Sequence, residues 1–206
     1  MGLVALTWVV KHNAIHVPLF DGERSNRLFS FVLAANTGTS SVNTALVHND
    51  IHHVYDNGPQ DWTRLSLVDH ISSPTLRVLA YPFAVIRSIG SNRRVYLENR
   101  PELAKRIRVE NALVVAVVLI GVIAAPRATI AYQVIPMVLG QIMLVLVNYA
   151  EHVGCERGHS NDITHGFVNR VLFNVGLHSE HHEFPGRHWS ELGKNVATTT
   201  ERRPTG

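Results

Sequence analysis

Two apolar runs dominate the middle of the chain. NALVVAVVLIGVIAA fills 111–125, and ATIAYQVIPMVLGQIMLVLVNYA fills 128–150 without a formal charge. At roughly 1.5 Å of rise per residue, a helix of about 23 residues crosses a hydrocarbon core of about 30 Å, so the second run predicts a membrane span. The first run is short alone, but joined to its neighbour through Pro126-Arg127 it predicts the other arm of a transmembrane hairpin. A weaker stretch over 76–89 is interrupted by Arg77, Pro82 and Arg87 and predicts an amphipathic helix lying in the interface. The apolar segment 2–10 stops at Lys11, too short to span and without the marks of a signal peptide. It reads as the last turns of a membrane helix whose beginning is missing.

Composition narrows this picture. The 206 residues, 46% hydrophobic and only 17% charged, suit one domain with a substantial core and exclude a disordered chain or a coiled coil. We assign 1–194 to that domain and 195–206 to a disordered polar tail. A single cysteine, Cys155, rules out an internal disulfide and any site built from paired cysteines. Basic residues cluster just before the hairpin (Arg87, Arg93, Arg94, Arg100, Lys105, Arg106, Arg108), whereas its tip carries only Arg127. The positive-inside rule therefore places the cluster in the cytoplasm. The apolar run follows it directly and aromatic residues are sparse within it, so nucleic acid is not an expected partner.

The unusual feature is 13 histidines, most of them grouped. They form H-N-A-I-H (12–16), H-N-D-I-H-H (48–53) and H-S-E-H-H (178–182), and His152 closes N-Y-A-E-H at the end of the long span. On a helix, residues three or four apart share a face, so each group can aim two imidazoles at one point, and an adjacent His-His can serve a second centre. Nine imidazoles are too many for one ion and suit two. Neutral nitrogen ligands favour iron, copper or zinc over magnesium or calcium. A hairpin returns the chain to the side it left, which allows all the groups to meet.

HNAIH, HNDIHH, NYAEH and HSEHHEFPGRHW, in this order and spacing, resemble the histidine boxes of the membrane fatty acid desaturase superfamily, over nearly the whole chain from Lys11 to Leu192. NYAEHVG is also similar to the signature of membrane alkane monooxygenases in the same superfamily. The resemblance implies an all-α integral membrane domain with a cap of clustered histidines on the cytoplasmic side. It also implies a non-haem centre of two iron ions, with O2 as co-substrate. The ligands would be His12, His16, His48, His52, His53, His152, His178, His181 and His182, with Asn148 reaching one ion through a water. Metal-bound histidines usually donate their second N–H to a carboxylate or carbonyl. The acids within or near the boxes, Asp50, Glu151, Asp162 and Glu180, are the candidates for that role.

The implied activity is desaturation of an acyl lipid. A hydroxylase, ketolase or monooxygenase acting on an alkane, carotenoid or other apolar molecule would use the same ligands, and a metal-binding membrane protein without redox chemistry is a third reading. The third predicts ionisable groups spread through the membrane depth, and 128–150 has none. The sequence holds no dinucleotide fingerprint and no cysteine set for an iron–sulfur cluster. Electrons must therefore come from a separate ferredoxin-, rubredoxin- or cytochrome b5-like carrier with its reductase.

Overall fold

The computed structural model describes residues 2–194, so the tail expected over 195–206 lies outside the described residues. Among those described there is no strand. The apolar runs form the predicted hairpin, α5 (Pro101–Ala124) and α6 (Pro126–His152), both long and apolar enough to cross a membrane. Proline disfavours helical backbone at the residue before it, so Ala125 (φ −150°, ψ 71°) breaks the helix and Pro126 starts the next. The arms meet closely at the tip, where a Cβ on Gly121 would stand 2.9 Å from Thr129 Oγ1. Pro136 is separated by one residue, Ile135, from an irregular stretch of α6. A π-helical turn, Ile130–Val134, ends just ahead of Ile135 and widens the helix where the proline cannot supply an N–H.

The stretch predicted over 76–89 is part of a longer helix, α4 (Pro74–Leu97), with Ser73 as its N-cap. Three residues separate its end from Pro101, so the basic cluster spans the end of α4, this short connection and the start of α5. One face of α4 buries Tyr81, Val85 and Ser88, while Leu76, Leu79, Phe83 and Ile86 form an exposed apolar stripe that suits a lipid-facing surface. Segment 23–37, which carries neither a box nor a long apolar run, forms α2 (Glu23–Thr37).

Box one ends α1 (Gly2–His16), which packs on α2, on the helix that carries box two, and on α6. Lys11 is fully buried there, and its Nζ donates to Thr37 Oγ1 (2.9 Å), Thr39 O (2.6 Å) and Thr39 Oγ1 (3.0 Å). These bonds tie the turn before box one to the end of α2. That end turns through Gly38 in the left-handed region (φ 75°). A side chain there would press on Met137 and Gln141 of α6.

Box two lies on α3 (41–55), which runs from the α-helical Ser41–Ala45 through a π-helical turn, Leu46–His52, to a last turn, His53–Tyr55. Its start is held by polar groups of α5. Glu110 accepts from Ser40 Oγ (2.5 Å) and Val42 N (3.1 Å), and Asn111 Oδ1 accepts from Ser40 N (3.2 Å). A carboxylate at a helix N-terminus satisfies otherwise orphan N–H groups, so the apolar hairpin sets the position of box two. After α6 come a loop, α7 (Gly166–Val171) and the short helix α8 (His178–Glu183), which carries box three.

Candidate metal centre

The boxes converge. Ligand nitrogens of His12, His16, His48 and His181 lie within 4.8 Å of one another, and so do those of His52, His152, His178 and His182. His53 completes the first group, with Nε2 3.1 Å from His48 Nε2 and 3.0 Å from His181 Nε2. The two groups are neighbours, since the rings of His53 and His182 are 4.4 Å apart. The nine imidazoles therefore divide into a five-histidine and a four-histidine cluster.

The division follows local helix geometry. In α1 the i, i+4 pair His12 and His16 serves one cluster, and in α8 the i, i+4 pair His178 and His182 serves the other while His181 turns to the first. Box two behaves differently. The expectation that His48 and His52, four apart, share a target is corrected by the π-helical turn, in which the His53 N–H bonds to the carbonyl of His48. That register aligns His48 with His53 and sends His52 to the four-histidine cluster.

The nitrogens fit metal ions. A metal–imidazole bond of about 2.1 Å puts neighbouring ligands about 3.0 Å apart at right angles and about 3.4 Å apart in a tetrahedron. His152 Nε2 lies 3.2 Å from His52 Nε2 and 3.1 Å from His178 Nε2. His16 Nε2 and His182 Nε2 are buried with no hydrogen-bond partner. Burial favours the neutral form of His12, His16, His48, His178 and His181, the state that ligation requires. It lowers His12 to about 4 and His16 to about 3, while His48, His178 and His181 fall well below the usual imidazole value, with neighbouring imidazoles adding to the effect in most of them.

Carboxylates surround the four-histidine cluster, and one of them hydrogen-bonds to a ring. His52 Nδ1 donates to Asp61 Oδ2 at 2.8 Å, both side chains buried, which leaves the His52 Nε2 lone pair for a metal. Burial alone would raise Asp61, but bonds from His52 and Thr63 bring its carboxyl down to about 2. Asp56 Oδ1 stands 3.5 Å from His182 Nδ1 and 4.0 Å from His152 Nδ1, and Glu151 Oε1 stands 3.5 Å from His178 Nδ1.

Of the four acids expected in this role, only Glu151 reaches a box histidine. Asp50 is exposed, because box two turns its histidines inward on the other side of the helix. Asp162 accepts from Ser179 N at 2.8 Å and anchors the start of α8. Glu180 pairs with Arg187 and accepts from Gly193 N at 2.6 Å, tying α8 to the segment after it. Asp56 and Asp61 were not among the expected residues. They lie in D-N-G-P-Q-D just after box two, and that turn signature was the available signal.

Asn148, one turn before His152, touches no histidine directly. Its Nδ2 donates to Tyr81 Oη (2.7 Å) and, at 3.5 Å, to Thr63 O, which also accepts from the Tyr81 hydroxyl. Thr63 Oγ1 in turn lies 3.2 Å from His52 Nδ1. The remaining histidines, His70, His159, His165 and His188, stay outside both clusters. Trp8 and Trp62 are buried and pack inside the domain.

A cavity of about 680 Å³ leads to the clusters. His12, His48, His52 and His178 are among its lining residues, with Thr63, Asn148 and Glu151, and the rest of the wall is predominantly apolar. Leu79, Phe83 and Ile86 of α4 and Val138 and Ile142 of α6 line it and are also exposed on the outer surface, so the cavity opens between these two helices onto the apolar flank.

No curated protein and no solved structure matches the chain. A family model does: the one described as fatty acid desaturase matches residues 1–204.

Proposed function

The chain belongs to the fatty acid desaturase family, and from that premise we propose that it is a membrane-bound, O2-dependent di-iron oxidoreductase that introduces a double bond into the acyl chain of a lipid. The observation that carries this reading is the apolar cavity ending on both histidine clusters and opening onto the flank of two helices suited to lipid. An extended hydrocarbon fits such a space, and a polar substrate would leave its groups unpaired there.

His12, His16, His48, His53 and His181 would hold one iron, and His52, His152, His178 and His182 the other, with Asn148 contributing through a water. When bound, the iron pair supplies an oxidant, formed from O2 and two electrons, able to take hydrogen from unactivated C–H bonds. Desaturation balances as one CH2–CH2 unit, O2, two electrons and two protons giving one double bond and two waters. The protein's part is positioning: the cavity walls present two adjacent carbons to the clusters and keep bulk water out.

The electrons require a separate carrier. Exposed Arg94, Arg100, Lys105, Arg106 and Arg108, at the α4–α5 junction, offer a basic surface to an acidic redox protein, and the same residues favour a cytoplasmic face for the site.

The test is lipid profiling of a host that expresses the chain with an electron carrier and its reductase, against His181→Ala. New unsaturated chains that vanish in the variant support desaturation. Oxygenated chains would move the assignment to a hydroxylase, and purified protein holding one zinc and no iron would overturn the redox reading.

A further inference from the structure

The two clusters are alike in ligand chemistry but not in surroundings. Every histidine of the four-histidine cluster has a carboxylate within 4.0 Å of its Nδ1: Asp61 for His52, Asp56 for His152 and His182, and Glu151 for His178. Among the described residues, no carboxylate comes within that distance of His12, His16, His48, His53 or His181. Of the carboxylate contacts only His52–Asp61 is a hydrogen bond; His152 Nδ1 and Asp56 Oδ1, like His12 Nδ1 and His53 Nδ1 of the other cluster, are buried without a hydrogen-bond partner.

We propose, on the reading that these clusters bind metal, that the two sites fill in order: the four-histidine site binds first and tightly, and the five-histidine site second and weakly. Asp61, Asp56 and Glu151 set that order. Two physical effects favour it. A carboxylate behind an imidazole makes the ring a better electron donor and fixes its tautomer and orientation before the metal arrives, and losing such a partner typically costs roughly 10- to 100-fold in affinity. Asp61, buried and hydrogen-bonded to His52, also offsets part of a divalent charge in a buried site, where an uncompensated ion is costly, and Asp56 and Glu151 stand close enough to add to it. A fifth neutral nitrogen adds a bond to the other site but no counter-charge, and among the described residues no acid hydrogen-bonds to one of its rings as Asp61 does to His52.

An occupancy order has a consequence for the enzyme. When metal is scarce, the protein accumulates with one ion in the four-histidine site and lacks the pair that the chemistry needs. Metal supply then acts on the five-histidine site.

The experiment uses the full chain in detergent, stripped by chelator and titrated anaerobically with Co(II), followed by its visible absorption and by metal content after desalting. Two separated binding events are expected. Asp61→Asn should weaken the tighter event tenfold or more and leave the looser one in place, and Glu151→Gln should act in the same direction should Asp61→Asn prove hard to purify. Restoring the carboxylate as Asp61→Glu should recover part of the affinity. His16→Ala should abolish only the looser event. The proposal is overturned if His16→Ala removes the tighter event, or if Asp61→Asn and Glu151→Gln leave it unchanged. It is also overturned if both ions bind with one affinity, which leaves the di-metal reading standing. Failure to bind any metal would overturn both.

Discussion

His53 Nε2 lies 3.1 Å from His48 Nε2 across a π-helical turn, and His52, the residue before His53, belongs to the other cluster. One extra residue in the turn thus decides which ion each ring of box two can reach. His52→Ala and His53→Ala, although adjacent, should each remove one ion and not the same one. Metal analysis is expected to give about one ion per chain for either variant, against about two for the parent, with different Co(II) spectra for the two. Identical spectra would contradict the division.

Tyr81 is fully buried, and its hydroxyl donates to Thr63 O while accepting from Asn148 Nδ2 at 2.7 Å. Tyr81→Phe keeps the ring packed against Tyr149 and Val85 but leaves the Asn148 amide short of an acceptor, which costs about 1–3 kcal/mol for a buried donor. A fall of several degrees in melting temperature is expected, since about 1 kcal/mol moves a domain of this size by roughly 2–4 °C. Both metals should remain bound, because Tyr81 touches none of the nine histidines and reaches the site only through Asn148. Turnover should drop about tenfold as Asn148 loses its fixed orientation, and Asn148→Ala should drop it no further in the Tyr81→Phe background.

What the sequence revealed and what it hid divide along physical lines. The hairpin was legible because apolar length is a one-dimensional property: 128–150 announces itself without any knowledge of its neighbours. The nine histidines were legible because their spacings are local. The split of box two was not, since an i, i+4 rule assumes an α-helix and nothing in L-V-H-N-D-I-H marks a π-helical turn. Asp56 and Asp61 were missed because their partners are reached by a reversal of the chain. Asp56 (φ 39°) and Asn57 (φ 57°) adopt left-handed backbone, and the loop folds back so that Asp61 meets His52 nine residues earlier. Asp50, inside the box, reads as the better candidate on paper, yet it lies on the exposed side of the helix.

The buried imidazoles make the metal-free protein acid-sensitive in a defined window. His12 titrates at about 4 and His16 at about 3 in the folded chain, both lowered from 6.5 by burial. Above pH 6.5 the rings are neutral folded or unfolded, and their contribution is fully present. Below it the unfolded chain takes up protons that the folded chain refuses, so stability declines as pH falls from 6.5 toward 3. Asp61, lowered from 3.8 to about 2, adds a further loss below pH 3.8. Thermal denaturation of chelator-stripped protein should give a level melting temperature between pH 7 and 8 and a steady fall from pH 6.5 to 4. Loading metal should shift the fall to lower pH, because protons must then displace the ion. A melting temperature that stays level from pH 7 to pH 4 in the stripped protein would refute the expectation.

Substrate length should respond to the cavity without any change at the clusters. Leu144 of α6 lines the cavity and is half-buried, on the arm of the hairpin that leads to Asn148 and His152. Leu144→Trp fills space within a cavity of about 680 Å³, so the overpacking cost of about 1–3 kcal/mol seen in tight cores should be smaller here. The ring occupies volume that an extended acyl chain would otherwise use. Product analysis by mass spectrometry should show longer chains lost by about tenfold relative to shorter ones, with metal content unchanged at two ions per chain. Phe83 offers the converse test at the mouth, where it both lines the cavity and is exposed on the apolar flank. Phe83→Ala opens that mouth and should relax the length preference while leaving the ligand nitrogens in place. If Leu144→Trp lowered all chain lengths equally, or released metal, the cavity would not be the seat of the hydrocarbon.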